Sequence, residues 1–286
     1  MNQRLDITYA DSVIGAEINH LDLTQPLSED CFAAIETTFN ERSVLCLRHQ
    51  SLSEPQLINF AERFGEIEQI FLTHYAHPQY PQILLVSNIK ENGRDIGHAD
   101  AGRVWHSDMS YTQSPPRATM LYALEVPMEN GVALGSTQFA SAAAAYDSLS
   151  EATKTRLEGL RALHQVAGRR RQTGTGQQDL HLREQQPSVI HPVVRTHPFT
   201  GRKCLYVNKG ECQAIEGVDT DEALALVDEL ADRIVEPQFR YVHQWRVGDL
   251  LIWDNCSVQH LATFDYEWPK HRRLMHRITV GGSIPF

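Results

Sequence analysis

The chain has 286 residues, with 42% apolar and 22% charged residues and a formal net charge of −10. These values are typical of a globular protein that is long enough to bury a large core. The acidic balance and the lack of a long basic run argue against a nucleic-acid partner, because phosphate binding usually needs a basic face.

The sequence shows no membrane or secretion signal. Its strongest apolar runs, 83–86 and 250–253, are far shorter than the roughly 18 residues that a membrane span needs. The N-terminal residues lack the apolar segment of a signal peptide. The five cysteines are scattered and form no C-x-x-C pair, which is typical of reduced thiols rather than of disulfides or a zinc site. We therefore predict a cytoplasmic protein that does not bind a membrane.

Capping residues and apolar stripes predict four helical regions. The first follows Ser28 and carries phenylalanines and an isoleucine on one face. The second begins at a capping box formed by Ser53 and Gln56 and ends at Gly65. The other two regions are 141–160 and 221–235.

Short runs of β-forming residues lie between these helices. They show no regular alternation of strand and helix, and no glycine-rich nucleotide-binding loop is present. Many short strands with helices at either side favour a double-sheet barrel supported by helices. The predicted strands are 43–48, 82–88, 118–126, 203–208, 239–245, 250–255 and 273–280.

Residues 168–187 form a polar segment that contains glycines and several arginines and has no clear periodicity. Such a segment fits a solvated surface loop. It fits equally well an active-site lid that carries positive charge. Both interpretations stay open on the sequence.

Two H-x-D pairs are candidate metal-binding motifs, namely His98 with Asp100 and His106 with Asp108. On a strand, residues i and i+2 point to the same side, so an imidazole and a carboxylate can bind one ion. One distant histidine would complete the two-histidine, one-carboxylate set, which leaves open positions on Fe(II). Those positions can accept a bidentate 2-oxo acid and O2.

The surroundings of the two pairs differ. The first pair lies among glycines, which is typical of a turn. The second pair follows Trp105 in a setting that favours a strand. In the C-terminal third, His260 follows an apolar run that ends at Asn255, and it is the candidate third ligand.

Arg273 and Arg277 form a candidate anion-binding pair. If 273–280 is a strand, their side chains lie on the same face, about 13 Å apart. A buried guanidinium is costly unless it meets an anion, and arginine suits bidentate recognition of carboxylates or sulfonates. Two surface arginines on an edge strand would give the same pattern.

Together these motifs resemble the taurine dioxygenase / 2,4-dichlorophenoxyacetate dioxygenase family of Fe(II)- and 2-oxoglutarate-dependent enzymes. The resemblance spans nearly the whole chain, and the order of its motifs is specific for the family. The motifs are Phe60-Ala61-Glu62-Arg63-Phe64-Gly65, Trp105-His106-Ser107-Asp108, Pro115-Pro116-Arg117-Ala118, His191-Pro192-Val193-Val194-Arg195-Thr196-His197-Pro198, Leu205-Tyr206-Val207-Asn208 and Trp253-Asp254-Asn255, followed by His260 and the arginine segment.

The resemblance implies a mainly β fold with flanking helices and a double-stranded β-helix (jelly roll, cupin-like) core. It implies a single domain over residues 1–286. The implied enzyme uses Fe(II), 2-oxoglutarate and O2, hydroxylates a C–H bond of its substrate, and releases succinate and CO2. The protein would then fix geometry while the cofactors supply the chemistry.

Several residues of this chain match the functional positions of the family's motifs. The resemblance implies His106, Asp108 and His260 as the iron ligands, which are also the catalytic centre. It implies that Thr137 and Arg273 hold the distal carboxylate of 2-oxoglutarate.

Three departures from the taurine enzymes point away from taurine as the substrate. Ile70 stands where those enzymes carry an amine-contacting histidine, although His74 follows closely. Gly102 replaces an asparagine, and Glu211 replaces an aromatic residue. The implied substrate-binding residues are Arg277, Glu211 and His74. The expected substrate is a small organic anion, either a sulfonate, a sulfate ester or an aryloxyalkanoate.

The cofactor region also departs from the family pattern. The usual Gly-Gly-Asp-Thr run appears as a longer segment, 130–137, in which Ser136 replaces the aspartate. The segment between His260 and Arg273 is longer as well. Neither change removes a predicted functional residue.

Alternative functions stay open on the sequence. One is a non-catalytic jelly-roll module that binds a metal for structure or sensing. Another is the same iron chemistry with desaturation or cyclisation as its outcome. A homo-oligomer, either a dimer or a tetramer, is expected in each case.

Overall fold

Five α-helices and nineteen β-strands form the regular structure in the residues that the computed structural model describes, which are 5–166, 168–169 and 186–286. The predicted loop or lid at 168–187 therefore falls almost entirely outside the described residues. The helices are α1 (Glu29–Arg42), α2 (Glu54–Glu62), α3 (Ala142–Asp147), α4 (Glu151–Leu157) and α5 (Thr220–Ile234).

The strands are short, as the sequence predicts. In chain order they are β1 (Asp6–Tyr9), β2 (Ala16–Asn19), β3 (Val44–Leu47), β4 (Leu84–Ser87), β5 (Lys90–Glu91), β6 (Arg94–Asp95), β7 (Ala118–Glu125), β8 (Met128–Glu129), β9 (Val132–Ala133), β10 (Thr137–Ser141), β11 (Arg161–His164), β12 (Val189–Pro192), β13 (Val194–Thr196), β14 (Lys203–Leu205), β15 (Cys212–Ile215), β16 (Arg240–His243), β17 (Leu250–Asp254), β18 (Val258–Ala262) and β19 (Leu274–Val280).

A seven-stranded main sheet and a three-stranded second sheet form the centre of the fold. The main sheet has the order β1-β2-β3-β17-β7-β19-β4, and only the β2–β3 pair is parallel. The second sheet has the order β16-β10-β18. A further sheet, β12-β11-β15, and the β13–β14 pair lie beside α3 and α5. The predicted mainly β architecture with flanking helices is confirmed.

Alternation along the main-sheet strands separates two apolar layers. In β17, Leu250 and Ile252 join the layer beneath α1 and α2, whereas Leu251 and Trp253 join the layer that faces the second sheet. This alternation follows from the period of two in a strand. Phe139 of β10 fills the inner layer from the other side. The space between the two sheets is therefore packed, and the candidate site lies at its edge.

Helices α1 and α2 cover the outer face of the main sheet. The Ser28 side chain caps α1, and Ser53 and Gln56 form the predicted capping box of α2. Helix α2 ends at Glu62, before the predicted end at Gly65, because a turn intervenes. The covering helices hold the strands from which the site is built.

The predicted helical region at 141–160 is two short helices, α3 and α4. Ser141 caps the first helix and Ser150 caps the second, each by accepting a hydrogen bond from a backbone N–H in the first turn. Serine side chains compete with the helix interior for backbone groups, so the second serine starts a new helix. The region at 221–235 agrees closely with α5. None of the described helices is long and apolar enough to cross a membrane.

Candidate active site

His106, Asp108 and His260 come together at the edge of the inner layer. The Nε2 atoms of His106 and His260 lie 3.7 Å and 3.8 Å from Asp108 Oδ1. The three candidate ligand atoms lie within 4.8 Å of one another. These nitrogen–oxygen distances are too long for hydrogen bonds, so the three atoms surround a gap rather than satisfy each other.

The backbone around the motif is not the strand that its spacing predicts. His106 forms only an isolated antiparallel bridge to His260 of β18, with hydrogen bonds in both directions. Asp108 lies in the turn that follows, and Met109 takes a left-handed φ of 50°. The strand prediction for this motif is therefore wrong. The turn, rather than strand alternation, directs the carboxylate toward the two imidazoles.

Different contacts orient the two imidazoles. The Nδ1 atom of His106 lies 2.7 Å from the Val104 carbonyl, so Nδ1 carries the proton and Nε2 presents a lone pair. His260 is held instead by aromatic packing. Its ring centroid lies 4.9 Å from that of Trp253 and 6.0 Å from that of Phe139. Both rings present Nε2 toward Asp108.

The pKa shifts of Asp108 and His260 favour the protonation states of metal ligands. Burial raises the pKa of Asp108, but the Arg277 guanidinium and the two histidines outweigh it and hold this pKa well below its usual range. Burial, assisted by His106, lowers the pKa of His260 to about 3. At neutral pH the carboxyl group is ionised and the imidazole of His260 is neutral, which are the forms that bind metals. Two imidazoles and one carboxylate form a ligand set that suits Fe(II).

Two other groups of candidate ligands form closed hydrogen-bonded pairs. His197 Nε2 lies 2.6 Å from Asp254 Oδ2, and His243 Nε2 lies 3.1 Å from Asp249 Oδ2. In each pair the imidazole donates directly to the carboxylate. There is accordingly no gap between the histidine and the carboxylate for an ion.

A third group contains Glu54, His77 and His276. The Nδ1 atom of His77 accepts hydrogen bonds from the backbone N–H groups of Gln79 and Tyr80. Its proton therefore lies on Nε2, the nitrogen that faces Glu54 at 3.9 Å. A nitrogen that carries a proton cannot bind a metal ion, so this group is a poor candidate.

Arg273 is buried beside the inner layer, with two aromatic rings near its guanidinium. Its carbon Cζ lies 5.8 Å from the ring centroid of Trp245 and 5.6 Å from that of Tyr266. Its Nη1 donates to the Gly135 carbonyl at 2.6 Å, and it forms no ion pair with any described residue. Trp245 Nε1 donates to Thr137 Oγ1 at 3.0 Å. The structure thus brings Thr137 and Arg273 into contact with the same residue, Trp245.

The two segments whose lengths depart from the family pattern contact each other at this pocket. The backbone N–H of Gly135 donates to Asp265 Oδ1 at 2.6 Å, and Ser136 and Thr263 are joined through both side chain and backbone. A side chain at position 135 would have its Cβ 2.5 Å from Arg273 Nη1. Glycine, with its φ of 71°, is therefore required there.

Arg277 contacts the candidate metal centre directly. Its Nη2 lies 2.9 Å from Asp108 Oδ1, the oxygen that also faces the two histidines. Strand β19 begins after Arg273, and its pairing with β7 shifts between Leu274 and Met275. Both arginines still reach the interior, as the strand prediction expects, but they contact different groups.

The other two predicted substrate-binding residues, His74 and Glu211, have contacts outside the group of three candidate ligands. His74 is exposed and packs on Tyr75, which stacks on His98. Glu211 is buried, and its backbone N–H donates to Asn208 Oδ1. Asn208 in turn lies 3.4 Å from the Ser110 hydroxyl, shortly after Asp108 in the chain. Both residues stay predictions.

Four residues around the site were given no functional role by the sequence patterns. Thr119 and Asn255 hydrogen-bond to Asp108, while Trp245 and Tyr266 line the pocket of Arg273. Asn255 had a sequence signal, because it ends the Trp-Asp-Asn run. The others become visible only once the strands are paired.

The sequence matches one family model over nearly its whole length. The match covers residues 5–279, and the model describes the taurine catabolism dioxygenase TauD, TfdA family. The predicted resemblance is confirmed.

Relatives and a solved structure agree with this match. The chain is 33% identical to an alpha-ketoglutarate-dependent 2,4-dichlorophenoxyacetate dioxygenase from Cupriavidus pinatubonensis, covering 95% of this chain and 96% of that one. It is 32% identical to a pentalenolactone F synthase from Streptomyces arenae, covering 93% and 91%. The solved complex of AAD-2 with Mn(II) and N-oxalylglycine superposes with a TM-score of 0.81 at 28% identity, covering 99% of both chains.

These comparisons confirm the jelly-roll core and the reaction class. Enzymes of this class use Fe(II), 2-oxoglutarate and O2, and the two-histidine, one-carboxylate arrangement fits that metal. The chain belongs to the taurine catabolism dioxygenase TauD, TfdA family and is a 2-oxoglutarate-dependent dioxygenase.

Proposed function

We propose that His106, Asp108 and His260 hold Fe(II) in an enzyme that hydroxylates a C–H bond of a small organic anion and releases succinate and CO2. The observation that carries this proposal is the gap between the three ligand atoms. They converge within 4.8 Å, yet the histidine nitrogens are too far from Asp108 Oδ1 to bond it. The ionised carboxyl group and the neutral imidazole of His260 match the needs of a divalent ion.

Fe(II) held by the three ligands would supply the chemistry that couples oxidative decarboxylation of 2-oxoglutarate by O2 to oxidation of the substrate. The chain's own residues bind and orient the reactants. Arg273, which is buried and has no ion pair among the described residues, receives the distal carboxylate of 2-oxoglutarate. The hydroxyl of Thr137, already held by Trp245, donates its hydrogen to the same carboxylate.

Arg277 provides the positive charge for the anionic group of the substrate. It is only partly buried, and its Nη2 lies beside the candidate metal centre. The similarity to a 2,4-dichlorophenoxyacetate dioxygenase favours aryloxyalkanoates over sulfonates and sulfate esters.

Desaturation or ring formation is the second candidate outcome of the same chemistry. The chain is 32% identical to a pentalenolactone F synthase, and desaturation or ring formation would need the same metal centre and 2-oxoglutarate. Product mass separates the outcomes. Hydroxylation adds one oxygen atom, whereas desaturation removes two hydrogen atoms.

The experiment is succinate formation by purified protein with Fe(II), O2 and 2-oxoglutarate. Aryloxyalkanoates, alkanesulfonates and alkyl sulfates are supplied in turn, with His106→Ala as control. We expect succinate that increases with an aryloxyalkanoate and is lost in the variant. Equal succinate from both proteins would contradict the proposal.

Arg277→Ala should raise the KM for the organic substrate far more than the KM for 2-oxoglutarate. A lost hydrogen bond to a charged group costs about 1.5–3 kcal/mol, or roughly 10- to 150-fold. Binding of Mn(II) should not weaken, because the guanidinium beside Asp108 repels a cation. Equal changes in both KM values would show that Arg277 does not distinguish the two reactants.

We also propose, on sequence grounds, a single domain over residues 1–286, a cytoplasmic location and a homo-oligomer, either a dimer or a tetramer. The role of residues 168–187 as a loop or a lid stays a prediction.

A further inference from the structure

We infer that Thr119 and Asn255 are positioning residues that fix the Asp108 carboxylate, so that only its Oδ1 atom is offered to the metal. The inference rests on the proposed function, because it takes Asp108 as a metal ligand. Its evidence is a closed ring of hydrogen bonds that includes Asp108 Oδ2, whereas the two histidine nitrogens face Oδ1.

Three hydrogen bonds form this ring. Asn255 Nδ2 donates to Thr119 Oγ1 at 3.0 Å, and Thr119 Oγ1 donates to Asp108 Oδ2 at 2.7 Å. The backbone N–H of Asp108 donates to Asn255 Oδ1 at 3.3 Å. All three residues are buried, with 0%, 0% and 3% exposure for Thr119, Asn255 and Asp108.

The chemistry of the groups fixes the direction of every bond. A backbone N–H can only donate, so Asn255 must present its oxygen to Asp108 and its NH2 group to Thr119. Because Thr119 accepts from that NH2 group, its single hydroxyl hydrogen is free for Asp108 Oδ2. A flipped Asn255 amide would place one N–H against another.

The ring provides hydrogen bonds that hold Asp108 in place, which the backbone at this position does not provide. Asp108 lies in a turn, so no ladder of strand hydrogen bonds holds it in place. Thr119 lies in the centre of the main sheet, where β7 pairs with both β17 and β19. The ring therefore connects a turn residue to a rigid part of the fold.

Asn255 is itself held by the chain around it. Its backbone N–H donates to the Arg117 carbonyl at 2.9 Å. The preceding residue, Asp254, is fixed by His197 at 2.6 Å and by the Ser257 hydroxyl at 2.7 Å. The hydrogen-bonded pair of Asp254 and His197 thus stiffens the turn that positions Asn255.

The consequence for the metal centre is that Thr119 takes one carboxylate oxygen and leaves Oδ1, which Arg277 Nη2 also contacts at 2.9 Å, on the side of the candidate ligands. Thr119 occupies Oδ2, while Oδ1 faces both histidine nitrogens. A carboxylate that bound through both oxygens would take one of the open positions that the two-histidine, one-carboxylate set provides. The ring would keep that position for the 2-oxo acid or O2.

The experiment measures Mn(II) binding to the purified full chain by calorimetry, with no turnover required. Thr119→Val removes the hydroxyl and keeps the shape, and it should weaken binding by about 10- to 100-fold, as loss of other groups that orient ligands does. Thr119→Ser keeps a hydroxyl and should restore the affinity. Asn255→Ala should also weaken Mn(II) binding. This variant provides the test if Thr119→Val does not fold.

Thr38→Val is the matched control, because Thr38 is also buried but its hydroxyl donates to the Ala34 carbonyl within α1. It should bind Mn(II) like the unchanged protein. Unchanged affinity in folded Thr119→Val and Asn255→Ala would overturn the inference. Asp108→Ala, measured in parallel, separates the two claims, since normal Mn(II) binding there would overturn the proposed function itself.

Discussion

Replacing either His106 or Asp108 with alanine should abolish turnover and most metal binding. Each substitution removes one of three candidate ligand atoms that lie within 4.8 Å of one another. Loss of a group that merely orients a ligand typically costs about 10- to 100-fold in affinity or activity, and loss of a ligand should exceed that range. Calorimetry with Mn(II) and succinate formation measure the two effects separately.

His98→Ala is the matched control for this prediction. His98 belongs to the other H-x-D pair, but its ring stacks on Tyr75, and Asp100 of the same pair is engaged by Arg103. We expect activity close to that of the unchanged protein. Loss of activity in His98→Ala together with normal metal affinity in His106→Ala would reverse the assignment of the two pairs.

Arg273→Ala should raise the concentration of 2-oxoglutarate needed for half-maximal turnover by roughly 30-fold. The estimate follows from the loss of a charge-assisted pair worth about 2 kcal/mol. Arg273 is buried, and its one side-chain hydrogen bond to a described residue is to the Gly135 carbonyl. Its charge is therefore available for the distal carboxylate. The KM for the organic substrate should change much less.

Arg272→Ala provides the control at the neighbouring position. The Arg272 side chain is exposed and bonds Glu125 at the surface, at 2.7 Å and 2.9 Å. Surface ion pairs contribute little, so this variant should need a normal concentration of 2-oxoglutarate. If Arg273→Ala needed the same concentration of 2-oxoglutarate as the unchanged protein, another residue would bind the distal carboxylate.

The regular elements with strong local signals were predictable from the sequence. The 250–255 run forms β17 because alternate residues fill two apolar layers, and the 221–235 region forms α5 because its apolar residues fall on one buried face. The strands β5, β6, β8 and β9 have two residues each, which is too short to show the apolar–polar alternation that predicts a strand. The break between α3 and α4 was missed because Ser150 acts as a cap within an otherwise helical run.

The candidate site was predictable in its residue types but not in its geometry. The H-x-D spacing identified His106 and Asp108, yet the expected strand is a bridge followed by a turn. Thr119 lies 11 residues and Asn255 lies 147 residues from Asp108 in sequence, and the pairing of β7 with β17 brings the two together. Such tertiary contacts leave no local pattern, so the hydrogen-bonded ring could not be read from one sequence.

The most direct test of the metal assignment is an anomalous-scattering map from crystals grown with Mn(II) and 2-oxoglutarate. Mn(II) replaces Fe(II) here because it resists oxidation by air. We predict the strongest peak between His106 Nε2, Asp108 Oδ1 and His260 Nε2, with 2-oxoglutarate extending toward Arg273. A strongest peak at Glu54, His77 and His276, with no density at the predicted position, would contradict the assignment.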